Sequence, residues 1–115
     1  MNKTKQAMDA DAMQGAAMQA CALLKVLANP DRMMLLCQLS QGEHCVADLA
    51  SALGIGQPTL SQQLAVLRDE KLVRTRREGK QIFYGIASAE ALAVLQLMYA
   101  LYCPATKESR DDRLE

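Results

Sequence analysis

The stretch Gln57-Pro-Thr-Leu-Ser-Gln-Gln-Leu-Ala-Val-Leu-Arg68 restricts the fold of this chain more than any other. Leu60, Leu64 and Leu67 recur at i, i+4 and i+7, so they line one face of a short helix. Pro58 suits the first turn of that helix, where its missing N–H has no intrahelical partner to lose. The opposite face carries Thr59, Ser61, Gln62 and Gln63, none of them charged. A helix that only faces water usually carries Lys and Glu there, so the alternative is a solvated helix that happens to be amide-rich. Side chains that both donate and accept suit the reading of base edges, since Gln can meet adenine in bidentate fashion and Ser or Thr can meet either partner.

The flanking residues favour the second reading. Val46 to Leu53 predicts a short helix with Val46, Leu49, Ala50 and Leu53 inward, and Gly54-Ile-Gly56 makes a tight turn into the amide-rich helix. Two short helices joined in this way form a helix-turn-helix. After Leu72 the apolar period falls from helical to alternating. Val73-Arg-Thr-Arg-Arg77 and Gln81-Ile-Phe-Tyr-Gly-Ile86 flank Glu78-Gly79-Lys80 and predict a β-hairpin with a basic tip, with Ile82, Tyr84 and Ile86 on one face. Such a hairpin is a wing.

Upstream, the pattern predicts a helix from Met13 to Ala28 with apolar residues on two sides (Ala17, Cys21, Leu24, Ala28; Ala16, Ala20, Leu23, Leu27). Asn29-Pro30-Asp31 ends it and starts a second helix, Pro30 to about Ser40, with Met33, Leu36, Cys37 and Leu39 inward. Ser88 caps a last helix running to Tyr102 that is apolar nearly all round. A small domain cannot cover such a surface alone, so the first and last helices are expected to form a homodimer interface rather than core only. The expected fold is mainly α with a small β-hairpin, a winged helix-turn-helix. Residues 1–12 are expected to be a flexible N-terminus, 13–104 the folded domain and 105–115 a flexible polar tail.

Bulk properties agree with one small domain. Half of the 115 residues are hydrophobic, with no Trp and one Phe, so the core is aliphatic. No apolar run approaches the ~18 residues of a membrane span, and the N-terminus turns polar where a signal peptide needs an apolar stretch. A cytoplasmic location is expected. Net charge is zero, but six of the 13 basic residues (Arg68, Lys71, Arg74, Arg76, Arg77, Lys80) fall between 68 and 80. A local basic patch is enough for phosphate contact. The expected nucleic-acid face is therefore Gln57, Thr59, Ser61, Gln62 and Gln63 with Arg68, Arg74, Arg76, Arg77 and Lys80. One histidine, no CxxC and no acid pair in a pocket pattern leave little for an enzyme. The four cysteines, Cys21, Cys37, Cys45 and Cys103, are read as buried thiols, metal ligands or redox groups.

Together, Leu24-Lys-Val-Leu-Ala-Asn-Pro-Asp-Arg32, Val46-Ala-Asp-Leu49, the 57–68 stretch and Arg76-Arg-Glu-Gly-Lys-Gln-Ile-Phe-Tyr84 resemble the ArsR/SmtB family of winged-helix repressors over residues 14–104. The resemblance implies a homodimer through the first and last helices, a recognition helix in the major groove, a wing on the backbone, and repression by operator occlusion. The family's arsenic-type box, Glu-Leu-Cys-Val-Cys-Asp-Leu-Cys, stands here as Glu43-His-Cys-Val-Ala-Asp-Leu-Ala50, which keeps one of three thiols. The family's zinc site draws histidines from the last helix, whereas this chain's only histidine is His44.

Met34-Leu-Leu-Cys-Gln-Leu39 and Leu101-Tyr-Cys-Pro104 are more similar to the BigR/SqrR/HlyU subgroup. That similarity implies a sensor of reactive sulfur species in which Cys37 and Cys103 form a disulfide or polysulfide bridge that releases DNA, with no cofactor and no metal. Cys21 and Cys45 are then bystanders. The alternative is a thiophilic metal or metalloid sensor using Cys45 with His44, or Cys37 with Cys103. Partners expected are double-stranded operator DNA with an inverted repeat and a second copy of the chain.

Overall fold

A computed structural model describes residues 9–103. Five helices and three strands follow in the order α1 (Ala10–Leu27), α2 (Pro30–Leu39), β1 (His44–Cys45), α3 (Val46–Leu53), α4 (Thr59–Asp69), β2 (Val73–Glu78), β3 (Gln81–Ile86) and α5 (Ala89–Tyr102). This is the expected winged helix-turn-helix, with one strand more than anticipated. No described helix is long and apolar enough to cross a membrane.

The helix starts follow from side-chain caps. Asp9 accepts from the Ala12 N–H at 2.8 Å, Asn29 from that of Arg32 at 3.0 Å, and Ser88 from that of Ala91 at 3.0 Å. Each bond satisfies one orphan donor of a first turn. The Asp9 cap corrects the first boundary: α1 begins at Ala10, so residues 10–12 are helical and not part of a flexible leader. Residues 1–8 and the tail 105–115, with Pro104, lie outside the described residues. Helix α4 is also shorter than read. Pro58 precedes it as the N-cap with φ −88° and ψ −1°, and Gln57 stands before the helix. Gly54 ends α3 at φ 69°, a left-handed conformation that glycine adopts at no steric cost.

The core is aliphatic and central: Leu27, Leu35, Leu36, Leu49, Leu60 and Leu67 are its largest fully buried side chains. Leu35 replaces two of the residues assigned inward on α2, because Met33 and Cys37 only pack against the core from its edge. From α5 only Ala91 and Leu95 are buried, and from α1 only Val26 and Leu27. Most of both helices stands clear of the protomer.

The sheet runs β1-β3-β2, all antiparallel. Glu78 pairs with Gln81, which shortens the hairpin loop to Gly79 and Lys80, with Gly79 at φ 64°. Strand β1 pairs His44 with Tyr84 and Cys45 with Phe83, so the degraded metal box begins as an edge strand. Two residues are too few for an alternation signal, which is why the sequence pattern missed it.

Candidate functional site

Leu60, Leu64 and Leu67 are buried and anchor α4 against α2 and the foot of the wing. The opposite face projects outward. Gln57, Ser61, Gln62 and Arg68 are exposed, while Thr59 and Gln63 are half-buried. The Ser61 hydroxyl donates to Gln57 Oε1 at 2.6 Å, which orders the entry to the helix. Gln63 departs from the sequence reading. Its Oε1 accepts from Arg32 Nη1 at 2.9 Å, so one end of this carboxamide is already engaged inside the protein.

Arg74, Arg76, Arg77 and Lys80 all project from the wing. Two of them do not act as free cations. Glu43 lies 3.5 Å from Arg74 Nη2 and 2.8 Å from Arg76 Nη2, and Arg76 also meets Glu78 at 2.8 Å and lies 4.9 Å from the centre of the Phe83 ring. The hydrogen bond from Arg76, helped by the charges of Arg76 and Arg74 and opposed by desolvation, holds the Glu43 carboxyl below its usual range. The sequence reading grouped these arginines by proximity and missed their carboxylate, which lies more than a hairpin away along the chain. One signal was available. Gly85 interrupts a strand, and a Cβ there would collide with the Arg74 guanidinium and approach Glu43 Cγ to 3.2 Å. A strand glycine of this kind marks a close approach by a neighbour. Here it lets Arg74 lie across β3 to reach Glu43.

A second site lies between α2 and α5. An open cleft of about 910 Å³ is lined by Met33, Met34, Cys37, Leu95, Tyr99 and Cys103, among others. Cys37 is half-buried on α2; Cys103 is the exposed C-cap residue of α5, its N–H bonded to the Tyr99 carbonyl at 2.9 Å. Desolvation, with a further contribution from the nearby Cys103 charge, pushes the Cys37 thiol above its ordinary pKa. The fold thus brings together two cysteines that are far apart in sequence. It does not bring in the other two: Cys21 is exposed on α1 and Cys45 is buried in β1.

The residues of the degraded metal box differ in their surroundings. Glu43 is committed to the wing arginines, and His44 Nε2 is buried without a hydrogen-bond partner among the described residues. Among the described residues, no three His, Cys, Asp or Glu side chains of one protomer converge as a metal site.

Residues 29–75 match the family described as bacterial regulatory protein, arsR family. The chain is 51% identical to the biofilm growth-associated repressor of Agrobacterium fabrum, over 80% of this chain and 79% of that protein. The structure of the transcriptional repressor BigR from Xylella fastidiosa superposes with a TM-score of 0.78 at 44% identity, covering 86% of this chain and 98% of BigR. Reduced HlyU from Vibrio cholerae superposes with a TM-score of 0.76 at 42% identity, over 79% of this chain and 96% of HlyU. Motif, fold and overall identity agree: the chain belongs to the arsR family of bacterial regulatory proteins, among the winged-helix transcriptional regulators of the BigR and HlyU group.

Proposed function

We propose that this protein is a homodimeric repressor that occupies an inverted-repeat operator and releases it when reactive sulfur links Cys37 to Cys103. The observation that carries the sensing half is the shared cleft between α2 and α5, lined by a half-buried thiol on one helix and an exposed thiol at the end of the other. Access and thiolate character together set the order of events. Burial pushes the Cys37 thiol above its ordinary pKa and limits access to it, so the exposed Cys103 attacks first. Its thiolate takes the sulfane sulfur of a persulfide, RS–SH, giving Cys103–S–SH and a released thiolate, RS⁻. Cys37 then attacks the Cys103 sulfur, forming the Cys37–Cys103 disulfide and releasing hydrosulfide. With a hydropolysulfide on Cys103, Cys103–S–S–SH, attack by Cys37 on the sulfur next to the terminal one leaves an extra sulfur in the bridge and releases hydrosulfide.

This order has a kinetic consequence. With Cys103 replaced by Ser, alkylation of Cys37 by iodoacetamide should be slow at neutral pH and keep accelerating into the alkaline range. With Cys37 replaced by Ser, alkylation of Cys103 at neutral pH should be faster. Equal rates for the two variants would reverse or erase the proposed order.

The DNA half rests on the exposed face of α4 beside the wing. Gln62→Ala should cost about 1–3 kcal/mol on the operator and relax base preference. Arg77→Ala or Lys80→Ala should weaken binding to every sequence, and each should flatten the salt dependence by roughly one phosphate equivalent. Fluorescence anisotropy on operator and random duplexes at several salt concentrations separates the two patterns. Equal losses on both duplexes for Gln62→Ala would show that the helix does not read bases. Glu43→Gln is expected to act in the opposite sense. It frees Arg74 and leaves Arg76 paired with Glu78 alone, so affinity for random DNA rises and the salt slope steepens by about 0.9 for each new phosphate contact. An unchanged slope would mean that the arginines contact phosphate while still paired, or not at all.

A further inference from the structure

The environment of Gln63 goes beyond the assignment of α4 as a base reader, although it rests on that assignment. Arg32 sits near the start of α2 and spends three N–H groups inside the protein. Nε donates to the Val26 carbonyl at 2.7 Å, Nη2 to the Lys25 carbonyl at 3.4 Å, and Nη1 to Gln63 Oε1 at 2.9 Å. The first two bonds satisfy carbonyls in the last turn of α1, which the helix leaves without partners. The third reaches across to the recognition helix. One guanidinium therefore ties the end of α1, the start of α2 and the middle of α4.

The orientation of the Gln63 carboxamide follows from chemistry. Arginine has five donors and no acceptor, so the amide atom facing it must be the carbonyl oxygen. That leaves the NH₂ of this half-buried side chain as the end not engaged by Arg32. A bidentate contact with adenine needs the acceptor and the donor presented together to N6 and N7. A carboxamide whose oxygen is turned to Arg32 keeps one lone pair, but that bond fixes the direction of the oxygen, so the side chain is disposed to donate to an edge that only accepts. Guanine, with N7 and O6 side by side, is the base that offers such an edge in the major groove.

We propose that Arg32 is a specificity-determining positioning residue: it fixes Gln63 as a donor-only reader, directing it to guanine and away from adenine. Gln62, exposed and free of such a bond among the described residues, is not restricted in this way.

The test is selection of bound sites from a randomised duplex pool by the full-length protein, with affinities for selected and random DNA measured beside it. For the wild type, the base position governed by Gln63 should be guanine. Gln63→Glu keeps an acceptor for Arg32 but has no N–H, and it should lose that preference by about tenfold while preferences elsewhere persist. Arg32→Met frees the carboxamide and should move the same position toward adenine, with affinity for random DNA and its salt slope within about twofold of wild type, since Arg32 is assigned no phosphate.

A helix-capping role alone would lower the melting temperature without changing base preference, and that result would overturn the proposal. Wild-type adenine at the position would overturn it too. If Arg32→Met does not fold, Gln63→Glu and Gln63→Leu still decide, because both should lose guanine at one position only. If Gln62→Ala alters preference and neither Gln63 variant does, the Gln63 assignment falls alone. If no α4 variant alters any position, the base-reading assignment of the helix falls with it.

Discussion

Polysulfide added to the operator complex should release the wild-type protein and leave Cys37→Ser and Cys103→Ser bound. A bridge needs both ends, so each variant should hold DNA when reduced and fail to respond. The link would join the end of α5 to α2, and α2 contacts the recognition helix; a covalent tie between them biases the dimer toward one geometry. A coupling of about 1–3 kcal/mol lowers operator affinity ~5–150-fold. Mass spectrometry should find the Cys37–Cys103 link, with added sulfur atoms if the reduced thiols stand too far apart for a direct bond, which requires Cα atoms within ~7 Å. Cys21→Ser and Cys45→Ser should respond as wild type, because neither residue lines the cleft. Two results would transfer the sensing role to the Glu43–Ala50 segment: loss of induction in Cys45→Ser alone, or release by arsenite with no effect of polysulfide.

The parts of this molecule that were legible in its sequence are those whose causes are local. Apolar spacing at Leu60, Leu64 and Leu67, the caps Asn29 and Ser88, and the change of period after Leu72 are each written within a few residues, and each gave the element observed. The parts missed depend on distant partners. Strand β1 exists because β3 offers an edge to His44 and Cys45. Glu43 pairs with Arg74 and Arg76 only once the sheet has formed. Gln63 reads as one more exposed amide until Arg32, on another helix, takes its oxygen. The cysteine pair lies between these cases, since spacing alone does not relate Cys37 to Cys103 and the pairing came from resemblance to a subgroup.

Charge shows the same division. A count of arginines and lysines suggests a uniformly basic wing, yet among the described residues Glu43 and Glu78 engage Arg74 and Arg76, while no ion pair there involves Arg77 or Lys80. Exposed pairs contribute little to stability, with a median near 0–1 kcal/mol. Their effect on function can be larger, because every phosphate contact made by Arg74 or Arg76 must compete with a carboxylate already in place. A chain of zero net charge can then bind DNA at one edge without a general attraction for polyanions elsewhere.

Replacing Leu97 on α5, or Leu24 on α1, by Glu should separate the dimer and cost more operator affinity than any single change on the DNA face. Leu97 is 56% exposed and Leu24 48% exposed in the protomer, in company with Met13, Met18, Leu101 and Tyr102. Neither position belongs to the protomer's buried core, so a carboxylate there leaves the protomer's own packing in place and the far-ultraviolet helical signal largely unchanged. In a dimer, the same carboxylate would be forced into an apolar seam, where an unpaired charge costs several kcal/mol. Each protomer offers one α4, and two half-sites about one helical turn apart are engaged together only while the protomers are joined. Loss of that linkage removes the effective-concentration advantage of the second half-site, a factor of ~10²–10⁴. Light scattering should therefore report a monomer at micromolar concentration, and operator affinity should fall to near that of a single half-site duplex. A Leu97→Glu protein that remains dimeric and binds the operator as wild type does would move the interface away from α1 and α5, and leave their exposed apolar faces for a different partner.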